Sequence, residues 1–286
     1  MNLFRIKVAE PHGFCSGVRR ALTVTERALT GVRPVYLLHD LVHNRAVSEH
    51  LLRKGAVIVD SLEAVPDGAA VVTSAHGVSA EIVAEIGSRD LQWIDATCPI
   101  VQRIHEKCSA VKDGALVILI GHRGHPETAG TLGQHPGMIH LVERAEDVAK
   151  LPDRLPGQEV RVLTQTTLSG SELAAPLAAV HCRYGECTGG DCRCYATTER
   201  QEAVKTLAKE CDRIFIVGSG RSSNSCRLRE VAESSGVMAY LVEEPAEFDI
   251  SLLENCRVAG VSSGASVPEK QLETLIDILE KNGGCR

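Results

Sequence analysis

One unit recurs along this 286-residue chain. A short apolar run enters a polar, often glycine-rich turn, and a stretch with helical spacing follows. Pro34–Leu38 runs into His39–Asn44, and Ala69–Thr73 into Ser74–Ser79. Leu116–Ile120 leads to Gly121–Glu127, and Val160–Leu163 to Thr164–Ser169. Ile214–Val217 precedes Gly218–Ser225, and Val258–Val261 precedes Ser262–Ser266. Repeated strand–loop–helix alternation folds into α/β units with mostly parallel sheets. In such sheets ligands bind beyond the carboxyl ends of the strands, where each of these polar clusters falls.

Three cysteines punctuate the pattern. Cys15, in Gly13-Phe14-Cys15-Ser16-Gly17, opens a run whose apolar stripe is Val18, Ala21, Leu22, Ala28 and Leu29. Cys98, in Asp95-Ala96-Thr97-Cys98-Pro99, opens one with Ile100, Val101, Ile104, Cys108 and Val111. Cys194 opens a third with Ala203, Val204, Leu207, Ala208 and Cys211. Pro99 suits a first helical position, where no amide hydrogen is missed. A helix start favours negative charge and so makes a thiolate an available ligand. Three such thiols are what convergence on one iron centre requires. A lone cysteine in such a place is more often a small buried hydrophobe, and Cys108, Cys211, Cys226 and Cys256 read that way. Division at the cysteines gives three segments, 1–97, 98–192 and 193–286, each with two strand–loop units. This predicts a threefold pseudo-repeat of α/β lobes around a central site.

The loops carry two kinds of chemistry. His43, His76 and His125 lie one to a loop, as metal ligands, phosphate donors or proton carriers. Ser222, Ser223, Asn224 and Ser266 stand beside glycines or at helix starts, where hydroxyl, amide and backbone N–H groups cradle an anion. Taken singly, a strand-end histidine is more often structural and a Ser-Ser-Asn more often a helix cap. Together, imidazoles and neutral donors suit a diphosphate better than a carboxylate. Glu127, near Thr166 and Thr167, is the candidate proton carrier. The remaining histidines read as structural or surface residues.

Composition narrows the class. A formal charge of −6, a pI near 6.0 and 3% aromatic residues argue against nucleic-acid binding or a membrane surface. The N-terminal Met1–Ala9 is too short and charged for a signal peptide and reads as a strand. No apolar run approaches the ~20 residues of a membrane span. Eleven cysteines without a secretion signal point to a reducing compartment, the cytoplasm. The chain lacks G-x-x-x-x-G-K-[ST], strand-borne G-x-G-x-x-G and G-x-S-x-G, which disfavours nucleotide hydrolysis, a dinucleotide dehydrogenase and an α/β-hydrolase.

Nine motifs in order resemble one family. They are Gly13-Phe14-Cys15, Val42-His43-Asn44, Ser74–Ser79, Asp95–Pro99, Gly121–Glu127, Thr164–Ser169, Cys194–Thr197, Ser222–Ser225 and Gly264-Ala265-Ser266. The family is that of the 4-hydroxy-3-methylbut-2-enyl diphosphate reductases of the methylerythritol phosphate route to isoprenoids. The resemblance implies a trefoil of three α/β lobes around one [4Fe–4S] cluster per chain, held by Cys15, Cys98 and Cys194. It implies diphosphate binding by His43, His76, His125, Ser222, Ser223, Asn224 and Ser266. Catalytic roles would fall to Glu127, Thr166 and His125, with Thr166 and Thr167 also touching the substrate. The expected reaction is two-electron reductive dehydroxylation of the allylic diphosphate to isopentenyl and dimethylallyl diphosphate, with a ferredoxin or flavodoxin as donor.

The stretch before Cys194 departs from the family pattern. Arg193 replaces an apolar residue, Glu199 stands where asparagine is frequent, and Cys182, Cys187 and Cys192 crowd the same region. These extra thiols read as solvent-exposed residues of a loop; His181–Asp191 and Lys150–Gly157 read as surface loops. Cys192 competing with Cys194 for the cluster and a second metal, zinc, are the other readings. Two rival functions follow: a non-catalytic metal-binding or redox-sensing paralogue working through the Cys182–Cys194 loop, and a metal-free enzyme with another phosphorylated substrate.

Overall fold

The computed structural model describes residues 3–31, 34–135 and 137–286, so Met1 and Asn2 of the expected first strand lie outside the described residues. Strands and helices follow one another as β1 (Phe4–Val8), α1 (Ser16–Gly31), β2 (Val35–Leu38), α2 (Arg45–Arg53), β3 (Ala56–Val59), β4 (Ala70–Thr73), α3 (Ala80–Ser88), β5 (Gln92–Asp95) and α4 (Pro99–Ser109). Next come β6 (Leu116–Ile120), α5 (Pro126–Leu132), β7 (Ile139–Val142), β8 (Val160–Thr164), α6 (Gly170–Tyr184) and β9 (Thr188–Gly189). The chain closes with α7 (Tyr195–Ala208), β10 (Arg213–Val217), α8 (Ser223–Ser234), β11 (Met238–Val242), β12 (Val258–Ser263), α9 (Glu269–Lys281) and β13 (Gly284–Cys285).

Among the described residues three sheets result, ordered β3-β2-β4-β5, β7-β6-β8-β9 and β11-β10-β12-β1-β13. Every pairing among the described residues is parallel. The expected α/β class with parallel sheets is thus what the chain adopts. It divides into two compact units: Met1–Val18, His43–Ser48 and Tyr195–Arg286 with the five-stranded sheet, and Arg19–Val42 with Glu49–Cys194, which holds both four-stranded sheets.

Alternation along the central strands decides which residue feeds which core, since successive side chains point to opposite faces. In β6, Leu116, Ile118 and Ile120 pack with Leu173, Val180 and Tyr184 of α6, whereas Val117 and Leu119 meet Ile104 and Cys108 of α4. In β10, Phe215 and Val217 join Leu272, Leu275, Ile276 and Leu279 of α9. Its other face, Ile214 and Ile216, meets Val204 and Leu207 of α7 and Leu228 of α8. Because both faces are covered, these strands carry unbroken apolar runs, Leu116–Ile120 and Ile214–Val217, rather than alternating. Burial of each Leu, Ile or Phe contributes roughly 1.5–3 kcal/mol.

The three sheets repeat one backbone scheme at their strand ends. His39 N–H donates to Val59 O at 2.9 Å, Gly121 N–H to Val142 O at 3.1 Å and Gly218 N–H to Val242 O at 3.0 Å. Each bond joins the residue just past β2, β6 or β10 to the end of the neighbouring strand. The last strand before each cysteine flanks β4, β8 or β12: these are β5 for Cys98, β9 for Cys194 and β1 for Cys15. The N-terminal strand therefore pairs with β12, in register from Arg5–Val258 to Val8–Val261.

Two expectations need correction. His181–Tyr184 is the last turn of α6, not loop, because the stripe of Leu173, Val180 and Tyr184 is buried along it; Gly185, at φ +71°, ends the helix, and Thr188–Gly189 pairs with β8. Cys226 is not core: it is half-buried with its thiol on the Gly220 carbonyl, whereas Cys108, Cys211 and Cys256 are buried. Among the described residues no helix is long and apolar enough to cross a membrane.

Candidate active site

The larger unit brings together His76, His125, Glu127, Thr166 and Thr167. His76 lies in the turn after β4, where Ser74 Oγ contacts its Nδ1 at 3.3 Å. His125 is the N-cap of α5; its Nδ1 accepts the Glu127 N–H at 3.2 Å, which leaves Nε2 to carry the ring proton of the neutral imidazole. The two imidazoles stand edge to face, ring centres 5.7 Å apart. Two glycines permit this approach. Gly77 has φ +78°, and a Cβ on Gly130 of α5 would lie 3.2 Å from the Gly77 carbonyl. Behind the turn stands His105 of α4, against which a Cβ at Gly77 would collide at 2.5 Å. Burial pushes the His105 pKa down to about 4 against the pull of Asp95, so this imidazole is a neutral support.

Glu127, in the first turn of α5, is 3% exposed. Thr166 holds both its oxygens: the backbone N–H reaches Oε1 at 2.7 Å and the hydroxyl reaches Oε2 at 2.8 Å. Desolvation raises its pKa to about 7, and the two Thr166 bonds oppose that rise. A carboxyl poised near neutrality with a hydroxyl at hydrogen-bond distance is equipped to pass a proton. Gln165, a residue not singled out in the sequence, organises this corner. Buried at 1% exposure, it accepts from His122 N–H and Thr128 Oγ1 and donates to Thr167 Oγ1 at 2.7 Å. Its only sequence signal is its place between β8 and Thr166.

The other unit contains Cys15, His43, Ser222, Ser223, Asn224 and Ser266. Ser222 caps α8, accepting from Ser225 N–H at 3.4 Å, so the capping role expected of a lone serine is present. Ser223 and Asn224 are its first two helical residues, and Asn224 Oδ1 accepts from Ala265 N–H at 2.9 Å. Ser266 Oγ donates to the His43 carbonyl at 3.4 Å. The start of a 12-residue helix beside these hydroxyls offers backbone N–H groups and the positive end of a dipole to an anion.

All three cysteines immediately precede helices, Cys98 as the N-cap of α4 with Pro99 at its first position. Their backbones are anchored alike. Cys98 N–H donates to Ala75 O at 3.0 Å, Cys194 N–H to Thr166 O at 3.2 Å and Cys15 N–H to Ala265 O at 3.0 Å. Each acceptor lies two residues past the end of β4, β8 or β12. The repeat inferred from the sequence thus reaches single hydrogen bonds. Each of the three is half-buried and in no disulfide, in contrast to the buried core cysteines. A set of soft thiolates at helix starts fits an iron–sulfur cluster. Among the described residues no three His, Cys, Asp or Glu side chains are grouped to hold a metal ion. A cluster differs from a single ion in spreading its ligands over separate irons.

The extra thiols do not gather. Cys182 is exposed on α6, Cys187 packs on the core under that helix with its thiol on Gly185 O, and Cys192 packs on the α4 core with its thiol on Gly190 O. The description of Cys187 and Cys192 as exposed is therefore corrected: apolar surface draws each inward. Arg193 is accommodated by a two-pronged pair with Asp191, Nη2–Oδ2 2.7 Å and Nε–Oδ1 3.0 Å. That pair holds Asp191 below the usual carboxylate range.

A profile of the LytB protein family matches residues 6–280. The 4-hydroxy-3-methylbut-2-enyl diphosphate reductase of Saccharophagus degradans is 46% identical over 286 residues, covering 97% of this chain and 92% of that protein. That of Nitrosomonas europaea is 44% identical, covering 98% and 88%. The solved E-1-hydroxy-2-methyl-but-2-enyl-4-diphosphate reductase of Plasmodium falciparum matches with a TM-score of 0.92 at 33% identity, over 97% of this chain and 88% of that one. A solved (E)-4-hydroxy-3-methyl-but-2-enyl diphosphate reductase, described as the terminal enzyme of the non-mevalonate pathway, matches with a TM-score of 0.69 at 30% identity, over 98% and 100%. With a profile match across nearly its whole length and relatives of this identity, the chain belongs to the LytB protein family, that of the 4-hydroxy-3-methylbut-2-enyl diphosphate reductases.

Proposed function

We propose that the chain reduces 4-hydroxy-3-methylbut-2-enyl diphosphate, with two electrons and two protons, to isopentenyl or dimethylallyl diphosphate and water. Cys15, Cys98 and Cys194 would hold a [4Fe–4S] cluster. When bound with three protein ligands, such a cluster supplies an open iron as Lewis acid for the allylic hydroxyl and a path for electrons. A small ferredoxin or flavodoxin in the cytoplasm is the proposed donor. The observation that carries this reading is the buried Glu127 carboxyl gripped by Thr166, beside the strand-end anchor of Cys194.

The chain's own residues have distinct tasks. His43, His76 and His125 bind diphosphate oxygens, as do Ser222, Ser223, Asn224 and Ser266. His125 donates through Nε2, because Nδ1 is engaged by the Glu127 amide. Hydroxide is a poor leaving group, so the departing oxygen must be protonated. The Thr166 hydroxyl turns to give its proton to that oxygen and takes one from the protonated Glu127 Oε2, 2.8 Å away, so the bond it now donates is reversed in the transfer. Burial keeps a share of Glu127 in its acid form at neutral pH, so a proton is there to be given. Thr167, oriented by Gln165, offers a second hydroxyl to the substrate.

Anaerobic reconstitution tests the cofactor. About four irons per chain with matching sulfide, and a spectral change on adding the allylic diphosphate, are expected. A protein that takes up no iron, or only zinc, would remove the cluster from the account.

A further inference from the structure

Two arginines tie the helix that follows one proposed cluster ligand to the turn before the next. Arg200 lies six residues after Cys194, in α7, and is only 3% exposed. Its Nη2 donates to Gly13 O at 2.8 Å, two residues before Cys15, and its Nη1 to Ala196 O at 3.0 Å. Arg20 lies five residues after Cys15, in α1, and its Nη1 donates to Thr97 O at 3.0 Å, the residue before Cys98. The Gly13 turn is gripped from its other side by Ser263 Oγ, which accepts the Gly13 N–H at 2.8 Å. Ser16, next to Cys15, meets the hydroxyl of Tyr195, next to Cys194, at 3.0 Å.

Arginine suits this place for two reasons. Its fork of donors reaches two carbonyls at once, and it stays charged at any working pH. Lysine has a single ammonium and could serve one carbonyl fully but not hold both in the same geometry. A buried charge is costly unless the surroundings use it, and its field is little screened by solvent. Reduction adds an electron to a cluster already ligated by three thiolates, so a fixed cation nearby stabilises the reduced form.

Resting on the cofactor reading above, we propose that Arg200, with Arg20 in a parallel place, is a positioning residue that fixes the Cys15 turn and raises the reduction potential of the cluster. The charge and the bridge are separable by substitution. Arg200→Gln keeps some hydrogen bonding and removes the charge; Arg200→Lys keeps the charge and loses the bridge.

The experiment compares reconstituted wild-type, Arg200→Gln, Arg200→Lys and Arg20→Gln proteins without oxygen. It reads iron per chain, the midpoint potential by dye-mediated titration, and the rate of iron release to a chelator. For Arg200→Gln the reduced-to-oxidised ratio at fixed potential should fall about tenfold, a midpoint about 59 mV lower for one electron. Arg200→Lys should keep the wild-type midpoint and release iron several-fold faster. Arg20 is half-buried, so Arg20→Gln should shift the midpoint the same way by less. An unchanged midpoint in Arg200→Gln, or an equal fall in Arg200→Lys, overturns the electrostatic role. Should Arg200→Gln fail to fold, wild-type midpoint and iron release in Arg200→Lys together would overturn the positioning role. Absence of iron from the wild-type protein instead overturns the cofactor reading, and so the two failures are distinct.

Discussion

Glu127 shows how one residue's surroundings set its chemistry. Buried against α5 and β8, it is raised from an ordinary 4.5 to about 7 even though Thr166 bonds both oxygens. Turnover should therefore fall as pH rises above about 7, where the acid form is lost. Glu127→Gln should keep iron content and diphosphate binding, lower kcat by roughly 10²–10⁴ and abolish that limb of the profile. Near-normal turnover would remove Glu127 from proton delivery. Thr166→Val removes a bond that favours the carboxylate, so it should move the limb to higher pH while slowing the reaction. The same shift bears on stability. A carboxyl whose folded pKa is raised contributes its stability fully below about 4.5, and that contribution is lost as pH rises through about 7. Thermal unfolding of Glu127→Gln should accordingly depend less on pH across that window than unfolding of the wild type.

At the scale of elements, the strand end is the functional unit. A strand stops, the chain turns, and two residues later a carbonyl anchors a cysteine. This predicts a sharp difference between neighbouring thiols. Cys194→Ser should lower iron per chain and leave it labile, whereas Cys192→Ser, packed against the α4 core, should leave iron content unchanged. Equal loss from both would assign ligation to the wrong thiol. The central strands are a scaffold whose packing is independent of that chemistry. Ile118→Ala, at a fully buried position in β6, should cost about 2–5 kcal/mol in denaturant unfolding without altering the midpoint potential.

Which elements were legible follows from their burial. β6 is buried at every position, so its sequence is one apolar run. The edge strands β3, β7 and β11 are mostly half-buried, and β5 reads Gln-Trp-Ile-Asp with its first two residues exposed. β3 and β11 are nonetheless apolar runs, Ala-Val-Ile-Val and Met-Ala-Tyr-Leu-Val, yet no strand was expected at any of these four positions. The helix starts at the cysteines were legible because proline, glycine and the apolar stripes all agree. Gln165 and Arg200 were not, since their roles come from hydrogen bonds to residues distant in sequence.

Over the whole molecule, the repeat links sheets to chemistry in a cyclic order that sequence position hides. β5 and β9 each border the sheet formed just before them, but β1 borders a sheet completed only at β12. The N-terminal strand has no local partner to reveal this, as β12 lies some 250 residues away. The motifs themselves were legible as chemistry, and the LytB family match agrees with the reductase they resemble. The proposed reaction is the reduction of an allylic diphosphate. Its most direct test supplies the reconstituted protein with a low-potential one-electron donor and 4-hydroxy-3-methylbut-2-enyl diphosphate, and follows the products without oxygen. Formation of isopentenyl and dimethylallyl diphosphate, lost when Cys15, Cys98 or Cys194 is replaced by serine, is the expected result. A protein with its full iron and a reducible cluster that leaves the substrate unconsumed would contradict it.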